Sequence, residues 1–364
     1  GAAKLGDHTL NLVQGVPAQG VVALPVLPEA KNHTVEAVAD AWFHKLKPGT
    51  VSKQMVDGAM LADTGSCGTI QVIGNEVFTP GRLLRKKFYN SRMLDLALLL
   101  QRAAARSRLP DVDMVFCASD AGDSRLQSTP HFGRLPVLAP VSRLTSAATI
   151  PVPMLARGPR SFWGDPRIQA MLSGRRVSRR VGWGEKVRQA FFRGALKRGC
   201  GDRGGGPPPS PRSHCFRNYM VRRLAGAPEF NVSGAYAPEE DFENYMVLLV
   251  LGNSGGWSDR TMSTLFKSSA ALYVDQSAYE WFMPALDDRV HYIKAEPNAD
   301  DVIEKVRWAL SHSAEVQNIT RNANERASYL FNADSIANYM SRVVKRYASI
   351  LDYVPTLRDD MEKF

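Results

Sequence analysis

Residues 240–293 read EDFENYMVLLVLGNSGGWSDRTMSTLFKSSAALYVDQSAYEWFMPALDDRVHYI. The apolar run over 245–251 is short and β-branched, as a buried strand requires. It breaks at Gly252-Asn253-Ser254-Gly255-Gly256, and a helical pattern starts near Ser258. A strand, a glycine turn and a helix start present backbone N–H groups to a phosphate. Arg260, in the first predicted helical turn, adds a planar fork that suits phosphate oxygens. A second strand over 270–274, a helix over 279–286 and a strand over 290–293 complete a βαβαβ rhythm. That rhythm predicts an α/β fold with a nucleotide-binding half-sheet.

Working outward, residues 67–78 alternate like a strand or hairpin, residues 93–105 are amphipathic, and residues 109–120 read as a short loop, an apolar strand and polar residues at its end. Asp120 follows that strand, where ligands sit in open α/β sheets. Asp111 and Asp113 form a D-x-D, the pattern that holds a divalent cation against a diphosphate. It precedes its strand instead of closing it, so the expectation is a helix-to-strand turn and no metal. Residues 136–163 are Pro-rich and read as an extended loop, and residues 199–212 as a mobile low-complexity loop. Helices are expected over 35–45, 302–311, 314–331 and 335–351.

Several short runs resemble one family in their order. They are T-P-G-R at 79–82, Asp120 after its strand, I-P-V-P at 150–153 and F-W at 162–163. F-R-G at 192–194, W-S-D-R at 257–260, Y-E-W-F-M-P-A-L at 279–286 and V-H-Y-I at 290–293 follow. Together they resemble glycosyltransferase family 90, the protein O-glucosyltransferases and fungal capsule xylosyltransferases, over about residues 65–345. The resemblance implies a GT-B-like arrangement of two Rossmann-type domains with a cleft between them. It implies a UDP-sugar donor, inversion at the anomeric carbon and no metal or other cofactor.

Carried onto this sequence, Asp120 is the catalytic base. Arg193 and Gly194 meet the donor diphosphate, with Gly256, Trp257, Ser258, Asp259 and Arg260 from the glycine turn. Glu280 is placed on the ribose hydroxyls, and Phe162 and Trp163 near the acceptor. Thr149 stands where the protein O-glucosyltransferases carry an Asp, which leans the donor toward xylose over glucose. Arg217 matches a further family arginine less securely. The expected domains are 1–180 on the acceptor side, 181–340 for the donor, and a helix within 341–364 returning to the first domain.

Hydrophobic residues make up 44% of the 364, ordinary for a globular protein with two cores. The net charge of +10 is concentrated: residues 157–223 hold 17 Lys/Arg against three acids. Such a segment is a solvated loop or a surface for an anionic partner. The competing function is therefore a lumenal or secreted, non-catalytic binder of acidic glycans. No nucleic-acid partner is expected, and membrane contact is expected only through an N-terminal anchor outside this chain. Cys67, Cys117, Cys200 and Cys215 allow three full pairings. Sequons at Asn32, Asn231 and Asn318 are expected to be surface glycan acceptors in the secretory lumen. The C-terminal M-E-K-F is no retrieval signal, which favours the Golgi over the endoplasmic reticulum. The acceptor is a glycan or a glycoprotein.

Overall fold

The computed structural model describes residues 30, 33–61, 67–81, 87–118, 135–143, 149–154, 181–200, 208–258 and 260–364. Asp120, Phe162, Trp163 and Asp259 lie outside these residues, as does most of the arginine-rich segment upstream of residue 181.

The run that breaks at the glycines is a strand, β8 (Tyr245–Val250), buried along nearly its whole length. It lies in a parallel sheet with β6 (Val187–Arg193), β7 (Phe230–Ser233), β9 (Ala270–Val274) and β10 (Ile293–Ala295). Their order is β10-β9-β8-β6-β7. All pairs are parallel. The chain steps from β6 outward to β7, then crosses back over β6 to begin β8. The strand order therefore reverses between β6 and β8, and the carboxyl ends of those strands form the switch-point crevice.

The first sheet has the order β11-β2-β1-β3-β4-β5. Its members are β1 (Cys67–Ile73), β2 (Glu76–Pro80), β3 (Val112–Cys117), β4 (Val137–Ala139), β5 (Thr149–Pro151) and β11 (Met361–Lys363). Only β3, β4 and β5 run parallel. The β1–β2 hairpin and β11 are antiparallel additions, so this sheet is mixed and not wholly Rossmann-type. The physical reason is local. Gly74 and Asn75 both take positive φ (60° and 71°), the two-residue turn that joins antiparallel strands without a crossover.

Helices α1 (Val35–Trp42), α2 (Lys53–Leu61) and α3 (Lys87–Arg106) belong to the first half. In the second half lie α4 (Phe216–Leu224), α5 (Arg260–Leu265), α6 (Ala299–Ser311) and α7 (Ser313–Leu330). The expected helix over 279–286 shrinks to a 3₁₀ turn, Met283–Ala285, because Pro284 has no N–H to bond back to Glu280 and fits only a first turn. The last helix, α8 (Ala333–Ile350), starts at Asn332, whose side chain accepts from the Ser335 N–H at 2.8 Å. Helix α7 packs on α5 and β9, whereas α8 packs on α1, α3 and β3. The chain therefore crosses from one half to the other at Phe331-Asn332.

The crossing is cemented by aromatic residues. Trp281 contacts Phe282, Phe331 and Tyr339 at centroid distances of 5.8, 5.6 and 4.7 Å. Trp42 Nε1 donates to the Trp281 carbonyl at 2.9 Å. Ser142 and Tyr279 exchange both backbone bonds, at 2.9 and 2.8 Å, tying the loop after β4 to the loop after β9. The core of the first half consequently runs unbroken into Val250, Met262, Leu265 and Tyr273 of the second.

His291 is buried in this region, and its Nδ1 accepts the Asp287 N–H at 3.0 Å. Burial, with Arg326 nearby, pushes its pKa down to about 4, while Asp287 pulls the other way and His33 adds to the lowering. The unfolded chain binds a proton near pH 6.5 that the folded chain refuses. Stability should therefore fall as pH drops from 6.5 toward 4, by up to ~3 kcal/mol. Denaturant midpoints at pH 7 and 4.5 for the native chain and His291→Gln check this: the variant should lose less on acidification.

Candidate functional site

The switch-point crevice is closed on one side by the end of β6. Arg193 is its last residue, and its guanidinium lies 4.5 Å from the Phe191 ring centroid. It donates to the carbonyls of Phe192 and Asn231 at 2.9 and 2.8 Å, and to Asn231 Oδ1 at 2.6 Å. These bonds use three of its five donors.

On the other side, β8 runs into the glycine turn. Gly252 needs the absence of a side chain: a Cβ there would stand 1.9 Å from the Gly256 carbonyl oxygen. Gly255 and Gly256 take φ of +80° and +85°, a region open to glycine at little cost. The turn is tied internally by Asn253 N–H to Trp257 O at 2.8 Å and Gly256 N–H to Asn253 O at 2.9 Å. Gln276, wholly buried, accepts the Gly252 N–H at 2.6 Å and donates to the Pro211 carbonyl at 2.6 Å.

Two arginines join the strand ends. Arg260 Nη1 donates to the Arg193 carbonyl, and its guanidinium lies 5.4 Å from the Phe242 ring and 5.9 Å from Phe192. Gly194 leaves room for it, since a Cβ there would come 3.3 Å from Arg260 Nη1 and 2.8 Å from Phe192. Arg217, in the first turn of α4, donates to Gly252 O, Leu251 O and Ala195 O at 3.2, 3.0 and 3.3 Å. Its guanidinium is 5.6 Å from Phe192. Three arginines thus bond at the carboxyl ends of β6 and β8, Arg217 and Arg260 with their guanidinium groups beside Phe192 and Arg193 with its own over Phe191.

Of the residues singled out by the sequence, Arg193, Gly194 and Arg260 meet directly, and Gly256, Trp257 and Ser258 share one turn with Arg260. Ser258 Oγ accepts the Arg260 N–H at 3.4 Å and its carbonyl accepts the Thr261 hydroxyl at 2.8 Å. Trp257 is buried with Val141 and Ala278, so it faces the first half. Its Nε1 is buried without a hydrogen-bond partner. Arg92, from α3, lies 5.4 Å from the Trp257 ring and donates to the Ala118 carbonyl just past β3. Glu280 is buried beside the Ser142–Tyr279 bridge, and its charge adds to the burial that drives the Tyr273 pKa up.

Helix α5 spans six residues, under two turns, so the guanidinium groups and not a long helix dipole concentrate positive charge here. Both D-x-D carboxylates have protein partners. Asp111 accepts the Gly74 N–H at 2.7 Å, and Asp113, inside the start of β3, accepts from the Gln71 amide and, at 2.9 Å, the Tyr353 hydroxyl. The cysteines pair as Cys67–Cys117 and Cys200–Cys215. The first joins directly opposed residues of β1 and β3 and fixes the strand end that leads to Asp120. Cys200, His214 and Cys215 donor atoms lie within 4.8 Å of one another, but disulfide sulfurs offer no thiolate to a metal. Thr149 is buried in β5 opposite Val137, a strand position.

Sequence reasoning missed Gln276 and Arg92 and left Arg217 insecure. Gln276 sits two residues past β9, and that placement after a strand of the parallel sheet was its only local signal.

The family model described as Glycosyl transferase family 90 matches residues 241–364. This part of the chain is similar to family 90 glycosyltransferases. The match takes in β8, the glycine turn and Arg260, and leaves Arg193, Arg217 and β3 upstream of it. The chain is similar to protein O-glucosyltransferase 3 of Homo sapiens, 32% identical over 94 residues, which are 26% of this chain and 18% of that protein. It is also similar to protein O-glucosyltransferase 2 of Danio rerio, 32% identical over 88 residues, 24% of this chain and 18% of the relative. The Mus musculus protein O-glucosyltransferase 3 gives 32% over 94 residues, 26% and 19%. The chain thus spans less than a fifth of the length of the curated relatives it matches. The matched residues also include Trp281 and Phe282, which pack in the core shared by the two halves, and the buried His291.

Proposed function

We propose that the chain is an inverting, metal-independent glycosyltransferase of GT-B-like form, with a donor half built on the parallel sheet. It takes xylose or glucose from a UDP-sugar and places it on a hydroxyl of a glycan or glycoprotein. The observation that carries this reading is the convergence of Arg193, Arg217 and Arg260 at the switch point between β6 and β8. A leaving diphosphate gathers negative charge as the anomeric bond breaks, and preorganised donors aimed at that charge lower the barrier. Guanidinium groups do this without a cation, each charge-assisted bond contributing about 1.5–3 kcal/mol.

Asp120 follows the end of β3 and takes the proton of the acceptor hydroxyl as it attacks the anomeric carbon. Gly194, Gly256, Trp257, Ser258 and Asp259 line the donor, Glu280 holds ribose hydroxyls, and Phe162 and Trp163 face the acceptor. The relatives' names speak for glucose as the donor sugar. One missing hydroxymethyl group changes pocket binding by only about 1–3 kcal/mol, so xylose stays within reach of the same site. Two disulfides fit an oxidising compartment, and we place the protein in the secretory lumen, with the Golgi ahead of the endoplasmic reticulum.

The test is thermal denaturation with UDP. At about 100 times its Kd, UDP should stabilise the fold by about 2.7 kcal/mol, and UDP-glucose or UDP-xylose should be slowly hydrolysed. A protein indifferent to UDP, yet bound to acidic polysaccharide in a steeply salt-dependent way, would instead be a glycan-binding module.

A further inference from the structure

We propose that Asn231 is a positioning residue for Arg193, and that its Asn-Val-Ser sequon stays without a glycan in the working protein. The inference rests on the donor-site reading above, with Arg193 as a diphosphate ligand. Asn231 lies on β7, the outermost strand of its sheet, opposite Phe191. By position alone it is the kind of edge residue that a sequon marks as surface.

Its side chain is spent on the site instead. Oδ1 accepts from Arg193 Nη2 at 2.6 Å, while its main-chain carbonyl accepts from Nη1 at 2.8 Å. Two acceptors from one residue hold the guanidinium plane from two sides. The amide orientation follows from chemistry, because a guanidinium only donates and so must face the oxygen. That leaves Nδ2, which donates to the Tyr245 hydroxyl at 2.7 Å. Tyr245 stacks on Phe191 at 4.2 Å with an interplanar angle of 13°, and Phe191 carries the Arg193 guanidinium at 4.5 Å. Guanidinium, phenyl and phenol are therefore stacked together, and the Asn231 amide bridges the first to the last.

Nδ2 is the atom to which an N-linked glycan attaches. A glycan there would break the bond to Tyr245 and wedge a sugar beside the stack. Asn318, by contrast, is exposed on α7 and its side chain meets no such demand.

The experiment measures UDP affinity in a double-mutant cycle and maps glycopeptides of protein secreted from eukaryotic cells. Asn231→Ala should raise the Kd for UDP about tenfold or more with little change in kcat. In an Arg193→Ala background the same substitution should add nothing. Tyr245→Phe keeps the stack and deletes the amide's acceptor, so it should show the same pattern at smaller size and carries the test if Asn231→Ala does not fold. Ser233→Ala removes the sequon, together with an exposed bond from the Ala235 N–H at 3.1 Å, and should leave UDP affinity unchanged. Asn231 should be unmodified in the mapped peptides.

An equal loss in both backgrounds would overturn the positioning role alone, as would a glycan on Asn231 in protein that still binds UDP. Arg193→Ala binding UDP as tightly as the native chain would overturn the donor-site reading and this inference with it.

Discussion

Asp120→Asn should leave the Kd for UDP within about twofold while slowing transfer about 10²–10⁴-fold, the usual contribution of a placed general base. The amide keeps the size of the carboxylate and cannot take the acceptor proton. The β3 end that carries Asp120 is anchored by the Cys67–Cys117 disulfide and by Arg92 on the Ala118 carbonyl, so the substitution should not disturb the fold. The measurement is initial-rate transfer beside UDP titration calorimetry, with and without EDTA. The native chain should work equally well in EDTA, because guanidinium groups supply the charge. Normal turnover by Asp120→Asn would make another residue the base. Loss of activity in EDTA would return attention to Asp111 and Asp113, although both already hold protein partners.

Gly252→Ala should be the most damaging single methyl group in the donor half. The added carbon would sit 1.9 Å from the Gly256 carbonyl oxygen and 2.2 Å from its carbonyl carbon, both main-chain atoms that cannot rotate away. One side of the turn must move by about 1 Å or more, and misplacement on that scale costs about 10² in binding or rate. Stability should fall too, by about 1–3 kcal/mol, as in other overpacked sites. Arg217 bonds to the Gly252 carbonyl and Gln276 to its N–H, so both supports of the turn shift with it. Gly184→Ala is the control, since nothing lies within 4 Å of a Cβ there. Equal UDP binding by native chain and Gly252→Ala would show that the turn does not shape the donor site.

The second prediction depends on the reversal of strand order between β6 and β8. A reversal opens a gap above the sheet because the connections leave in opposite directions. Arg193 enters the gap from β6, Arg260 from the turn after β8, and Arg217 from the helix between β6 and β7. No two of these are neighbours in sequence, and their meeting is a consequence of topology.

The amino-acid sequence by itself determined the apolar strand over 245–250, the glycine break after it and the next strand over 270–274. Those signals are local, being apolar runs of strand length and a residue type that alone tolerates the turn. It also brought Arg260 and Arg193 forward, the latter through the F-R-G of the family resemblance. Tertiary structure alone decided the rest. A mixed first sheet, the cysteine pairing and the point at which the returning helix crosses depend on contacts between residues far apart in the chain, which no window of sequence contains. The sequence set a start for α5 but no end; it stops after Leu265, where Asn324 bonds the Leu265 and Lys267 carbonyls at 2.8 and 2.9 Å. Asn231 shows the difference most sharply. In sequence it is a glycan acceptor, while in the fold its amide is held between a guanidinium and a phenol, because β7 lies beside β6 and places it opposite Phe191.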